Sequence, residues 1–107
     1  MRNHLLNPTS QQATERARIA NAMNAFAHPK RVLIYQTLRA EKHGLAYGDL
    51  LEKTGLTIAT LNHHLRMMRS ARAVASRRRG ANVIYRLTPK ALAPHFTRMA
   101  AELDLVA

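Results

Sequence analysis

The 107-residue chain contains no cysteine. That single absence excludes disulfides, thiolate metal ligands, cysteine nucleophiles and thiol redox sensing. Aromatic bulk is scarce as well, with no Trp, two Phe and three Tyr. Apolar residues make up 47% of the chain, but many are alanine, which favours closely packed helices over a bulky core. A domain of this length buries only about two-thirds of the surface its unfolded chain exposes, so a dimer is an expected source of further burial. Long apolar runs are missing too, so no segment spans a membrane. The polar start, MRNHLLNPTSQQ, lacks the apolar block of a signal peptide. A single-domain, soluble, cytoplasmic protein is expected.

Acidic residues are the next deficit. Six Asp and Glu stand against seventeen Lys and Arg, giving a net charge of +11. The six carboxylates are scattered, and neither a glycine-rich phosphate loop nor a nucleophile motif is present. No enzyme is expected. A domain this basic repels itself, and the usual compensation is a polyanion. The excess is concentrated: Arg66, Arg69, Arg72, Arg77, Arg78 and Arg79 lie close together, which favours nucleic acid over a merely solvated basic face.

Regular pattern begins after a loose arm at 1–11, and residues 12–107 form one expected domain. Ile19, Met23 and Phe26 recur at helical spacing and place a first helix over roughly 12–27. Pro29 suits the first turn of a second helix, where a missing N–H costs nothing. That helix turns Ile34 and Leu38 inward and fades at 41–44. A short helix from Tyr47 to about Thr54 buries Leu50 and Leu51 and stops at Gly55. Thr57 then caps a further helix whose inner stripe is Ile58, Leu61, Leu65 and Met68. Only Gly55, Leu56 and Thr57 separate these two short amphipathic helices, the signature of a helix-turn-helix. The strand VASRRR, a tight turn at Gly80, Ala81 and Asn82, and the strand VIYRL follow as a hairpin. In the last segment Leu92, Phe96, Met99 and Leu103 are the apolar positions. Pro94 is awkward inside a helix, so the last helix is expected to begin there.

Base reading needs short side chains with hydrogen-bonding tips on the exposed face of a helix. Ala59, Thr60, Asn62 and His63 meet that need, and Arg66 one turn on reaches a guanine or a phosphate. Asn pairs in a bidentate way with adenine, and Thr offers a hydroxyl and a methyl. Along the outgoing strand, Arg77 and Arg79 share one face while Arg78 takes the other. With Asn82 they are expected to grip phosphates, which gives affinity and salt dependence without sequence information. The adjacent His63 and His64 diverge by about a hundred degrees on a helix and cannot easily chelate one ion. His4, His28, His43 and His95 are isolated, so solvated or capping histidines are the expectation, with no metal and no other cofactor.

The segments AFAHPKRVLIYQTL (25–38), DLLEKTGL (49–56), TLNHHLRMMRSARAV (60–74) and RRRGANVIYRL (77–87) resemble the ArsR/SmtB-type winged-helix repressors. The combination of His28-Pro29-x-Arg31, His64-Leu65 and Tyr85-Arg86-Leu87 at these spacings carries the resemblance, which covers most of the chain. It implies a mainly α fold with a small β-hairpin, a winged helix-turn-helix. It also implies a homodimer through the first and last helices, with the fourth helix in the DNA major groove. Positions 59, 62 and 63 fall where the family reads bases, and 77–82 is the wing. The chain departs from the metal-sensing members. It has Ala46-Tyr47-Gly48-Asp49-Leu50 where those carry paired cysteines before Asp-Leu. It has Pro89, Ala91, Glu102 and Leu105 where zinc sensors carry ligands, and one carboxylate does not make a transition-metal site.

These readings predict a dimeric regulator, in particular a repressor, on a pseudo-palindromic double-stranded DNA operator. Ile19, Met23, Phe26, Phe96, Met99 and Leu103 are the expected dimer interface. A rival reading places a small-molecule effector within that apolar set. A third, resting on charge alone, is a non-specific architectural nucleic-acid binder.

Overall fold

The computed structural model describes residues 10–104, so the expected arm lies almost wholly outside the described residues. Eight elements follow in order: α1 (Ser10–Asn24), α2 (Pro29–Arg39), β1 (Leu45–Ala46), α3 (Tyr47–Thr54), α4 (Ile58–Ser70), β2 (Val74–Arg79), β3 (Asn82–Leu87) and α5 (Pro89–Glu102). Helix α1 starts two residues earlier than the pattern suggested and stops three earlier. The turn at 25–28 buries Ala25 completely and lays Phe26 edge-on to Tyr35, with ring centroids 5.3 Å apart.

Local chemistry accounts for the helix ends. His28 Nδ1 caps α2 by accepting the Lys30 N–H at 3.1 Å, and Pro29 fills the first helical position. Gly55 closes α3 in the left-handed region at φ 67°. Thr57 caps α4 by accepting the Thr60 N–H at 3.2 Å. The far end of α4 is a Schellman motif, in which Arg72 N–H bonds the Arg69 carbonyl and Ala73 N–H bonds the Met68 carbonyl. Its left-handed residue is Arg72, at φ 63°, where glycine is usual.

Three expectations are corrected. Ile58 is not part of the inner stripe and is 60% exposed. At the first helical position its side chain leans back past the helix end rather than down onto the core. The buried face of α4 is instead Leu61, His64, Leu65 and Met68. The last helix does not begin at Pro94 but runs unbroken from Pro89. Pro94 is on the exposed side, so the carbonyl left unpaired by its missing N–H is open to water, while Leu92 and Phe96 hold both halves on the core. Finally, a third strand exists that the pattern did not reveal. Leu45 and Ala46 pair antiparallel with Tyr85 and Ile84, giving the sheet order β1-β3-β2.

The core sits where α2, α3 and α4 converge. Ile34, Leu38, Leu50, Leu61 and Met68 are its largest fully buried side chains. Each stabilises the fold by about 1.5–3 kcal/mol through removal from water. This packing fixes α4 against the sheet and leaves its opposite face free.

Candidate nucleic-acid interface

The N-terminal half of α4 projects from the domain, with Ala59, Asn62 and His63 exposed and Thr60 half-buried. No acidic residue occupies its first turn and Arg69 stands in its last. The positive end of the helix dipole is therefore unopposed, a favourable setting for phosphate. Thr60 is partly committed to the cap: Thr57 Oγ1 donates to its hydroxyl at 2.9 Å, leaving the Thr60 proton available.

Asn62 is not a free surface amide. The Tyr47 hydroxyl donates to Asn62 Oδ1 at 2.6 Å, which orients the amide and leaves its NH2 group pointing away from Tyr47. Burial, and then the neighbouring Tyr85 ring, pushes the Tyr47 phenol above its ordinary value and keeps it a donor. Nothing in the sequence pattern joined Tyr47 to Asn62. The missed strand β1 does, by setting α3 at the edge of the sheet beside α4.

Arg66 and Arg69 line a polar hollow of about 270 Å³ with Asn62, Leu65 and Tyr85, between α4 and β3. Arg69 belongs to this surface by position, although only Arg66 was expected there. Beyond it the hairpin extends as an edge ribbon, and Arg77, Arg78, Arg79 and Asn82 are all exposed. Arg77, Arg78 and Arg79 pair with Ile84, Val83 and Asn82, so the expected alternation of faces holds. A two-residue loop closes the ribbon, with a positive φ of 62° at Gly80.

Beneath the exposed face lies a buried polar contact. Arg31, 7% exposed, donates from Nε to His64 Nδ1 at 3.1 Å and from Nη1 to the Asn24 carbonyl at 2.6 Å. His64 thus accepts at Nδ1, which places its proton on Nε2. Burial chiefly, then the positive surroundings of His28, Arg31, His63 and Lys30, holds the His64 imidazole below its ordinary value. The sequence signal was present, since His64 falls three residues after Leu61 on the inner stripe. His28 meets the capping expectation and stacks 4.6 Å from the His64 ring. Among the described residues, no three His, Asp or Glu side chains come together as a metal site.

Four of the six residues expected at a dimer interface line two grooves of the protomer. Phe26 and Phe96 meet each other at 5.7 Å within the protomer and line an apolar groove of about 420 Å³ with Val32, Tyr35 and Leu92. Ile19 and Met99 line a separate groove of about 380 Å³, where Arg98 ties Glu15 of α1 to Glu102 of α5. Met23 is half-buried, and Leu103 is 60% exposed at the end of α5.

Helices α3 and α4, joined by Gly55-Leu56-Thr57 and flanked by a β2–β3 ribbon, define a winged helix-turn-helix domain. Solved structures share it. The homodimeric winged helix-turn-helix DNA-binding domain of Mb0332 from Mycobacterium bovis, a possible ArsR-family transcriptional regulator, is 22% identical, with a TM-score of 0.72 over 92% of this chain and 90% of that one. The transcriptional repressor BigR from Xylella fastidiosa is 28% identical, with a TM-score of 0.62 over 83% of this chain and 91% of its own. NolR from Sinorhizobium fredii is 30% identical, with a TM-score of 0.63 over 90% and 95%. No protein-family model and no curated protein matches the sequence. The chain belongs to the ArsR family of winged helix-turn-helix transcriptional regulators. No helix among the described residues is long and apolar enough to cross a membrane.

Proposed function

We propose that the protein is a homodimeric transcriptional repressor that binds a pseudo-palindromic operator. One observation carries the reading: an exposed α4 N-terminus, free of acidic residues in its first turn, is followed in the same domain by a β2–β3 ribbon that carries three exposed arginines. Ala59, Thr60, Asn62, His63 and Arg66 read base edges, and Arg77, Arg78, Arg79 and Asn82 hold the flanking backbone. The homodimeric Mb0332 and the repressor BigR support the assembly and the direction of regulation. Dimerisation through α1 and α5 would cover Leu103, whose 60% exposure is high for so apolar a side chain.

Selection of bound duplexes from a randomised pool tests this reading. Two inverted half-sites centred about one helical turn apart are expected, because two-fold protein symmetry is mirrored in the DNA. Recovery of unrelated sequences with no inverted repeat would instead support the architectural alternative. Control by a small apolar effector is the second reading, favoured by the groove of about 420 Å³ between Phe26, Tyr35 and Phe96. Thermal stabilisation in a metabolite screen identifies such a compound.

A further inference from the structure

A second group of basic side chains lies between α1, α5 and the C-terminal end of α4. Arg18 and Asn21 of α1, Ser70 and Arg72 at the end of α4, and His95 of α5 line a polar cleft of about 470 Å³. That volume falls within the roughly 300–1,000 Å³ common for small-molecule sites. No carboxylate lines the cleft. The groove on the neighbouring face of the same α1–α5 pair is lined by Arg16 and Arg98, and there Arg98 is bonded to both Glu15 and Glu102. Among the described residues, neither Arg18 nor Arg72 has such a partner.

The backbone at Arg72 is fixed by hydrogen bonds from both its N–H and its carbonyl. Its backbone occupies the left-handed region at φ 63°, a conformation that disfavours any side chain. Its N–H bonds the Arg69 carbonyl at 2.9 Å, and its own carbonyl accepts from the Thr88 hydroxyl at 2.6 Å. The Schellman motif would accept glycine without strain, so the local backbone gives no reason for an arginine there. We infer that this cleft is a binding site for a small polyanion, a molecule carrying a phosphate or diphosphate group. Two guanidiniums supply charge and forked donors, while Asn21, Ser70 and His95 supply further hydrogen-bonding groups. The cleft sits at the root of the wing and the C-terminal end of α4, so an occupant there touches the elements proposed to meet DNA. In that consequence alone, the inference rests on the DNA-binding reading.

Inorganic pyrophosphate is the probe, compared with potassium chloride at equal ionic strength in thermal unfolding of the full chain without DNA. A rise in Tm of several degrees is expected for the wild type and for the double wing variant Arg78→Ala/Arg79→Ala. Arg72→Gly, which relieves the left-handed strain and should fold at least as well, is expected to abolish the rise, as is Arg18→Ala. An absent rise, or one retained by Arg72→Gly, overturns the site. A rise lost only in the wing variant places the anion on the DNA-binding face and also overturns it. Operator affinity of Arg72→Gly is expected within about twofold of wild type. A drop as large as the wing variant's would make Arg72 a DNA-binding residue instead. The unfolding measurement contains no DNA, so failure of the repressor reading leaves its outcome unaffected.

Discussion

Arg31 Nε donates to His64 Nδ1 across 3.1 Å where α2 crosses α4, with both residues buried. The hydrogen bond couples the inner face of the proposed reading helix to the helix behind it. It also sets a condition, because only the neutral imidazole can accept.

Acid should therefore loosen the domain. The His64 value is depressed in the folded state, so the unfolded chain binds the proton more readily. Stability is full above the ordinary histidine value of about 6.5 and falls as pH drops through it toward the lower folded value. His64→Asn retains an acceptor near Nδ1 but cannot be protonated. Thermal unfolding between pH 5 and 8 should show a shallower acid decline for His64→Asn than for wild type. Parallel declines would assign the acid sensitivity to the other histidines.

Tyr47 orients Asn62 through the 2.6 Å hydrogen bond to Oδ1. Tyr47→Phe removes that bond while keeping the ring packed near Tyr85, so the fold should lose only about 0.5–1.5 kcal/mol. Discrimination at the base pair that Asn62 is proposed to read should drop by several-fold as the amide regains rotational freedom. Competition between operator and single-base variants measures this, and an unchanged ranking would remove Asn62 from base readout.

Two glycines with similar backbone angles should respond differently to alanine. A Cβ at Gly44, φ 87°, would clash with the Tyr85 carbonyl oxygen, whereas one at Gly80, φ 62°, would meet nothing within 4 Å. Gly80→Ala carries only the left-handed penalty of about 1–2 kcal/mol. Gly44→Ala adds a backbone clash and should destabilise more, by separating β1 from β3. Urea unfolding of the pair checks the order, and equal destabilisation would deny that β1 is held closely to the wing.

Much of this architecture was legible in the residues. Gly55 and Thr57 marked the turn between α3 and α4, and the Leu61–Leu65–Met68 spacing fixed which face of α4 is buried. The wing followed from VASRRR and VIYRL around Gly80. Strand β1 was not legible, because two residues carry no periodicity and their pairing with Tyr85 and Ile84 is non-local. Pro94 misled for a related reason: its local cost is real, but burial of Leu92 and Phe96 outweighs one missing hydrogen bond. The arginine run between 66 and 79 also read as one cluster. The left-handed turn at Arg72 interrupts it, and Arg72 lines a cleft with Arg18 of α1.

The proposed interface divides into a reading helix, α4, and a gripping wing, β2–β3. Fluorescence anisotropy with the selected operator and a scrambled duplex, from 50 to 200 mM salt, tests it directly. Wild-type affinity for the operator should fall by roughly 10³-fold or more over that range. His63→Ala should narrow the operator-to-scrambled ratio while preserving the salt slope. Arg78→Ala or Arg79→Ala should weaken both duplexes alike and reduce the slope by about one for each phosphate that is no longer neutralised. Binding that ignores salt and sequence, or a His63→Ala protein with an unaltered ratio beside wing variants that lose it, would rule out this division between α4 and the wing.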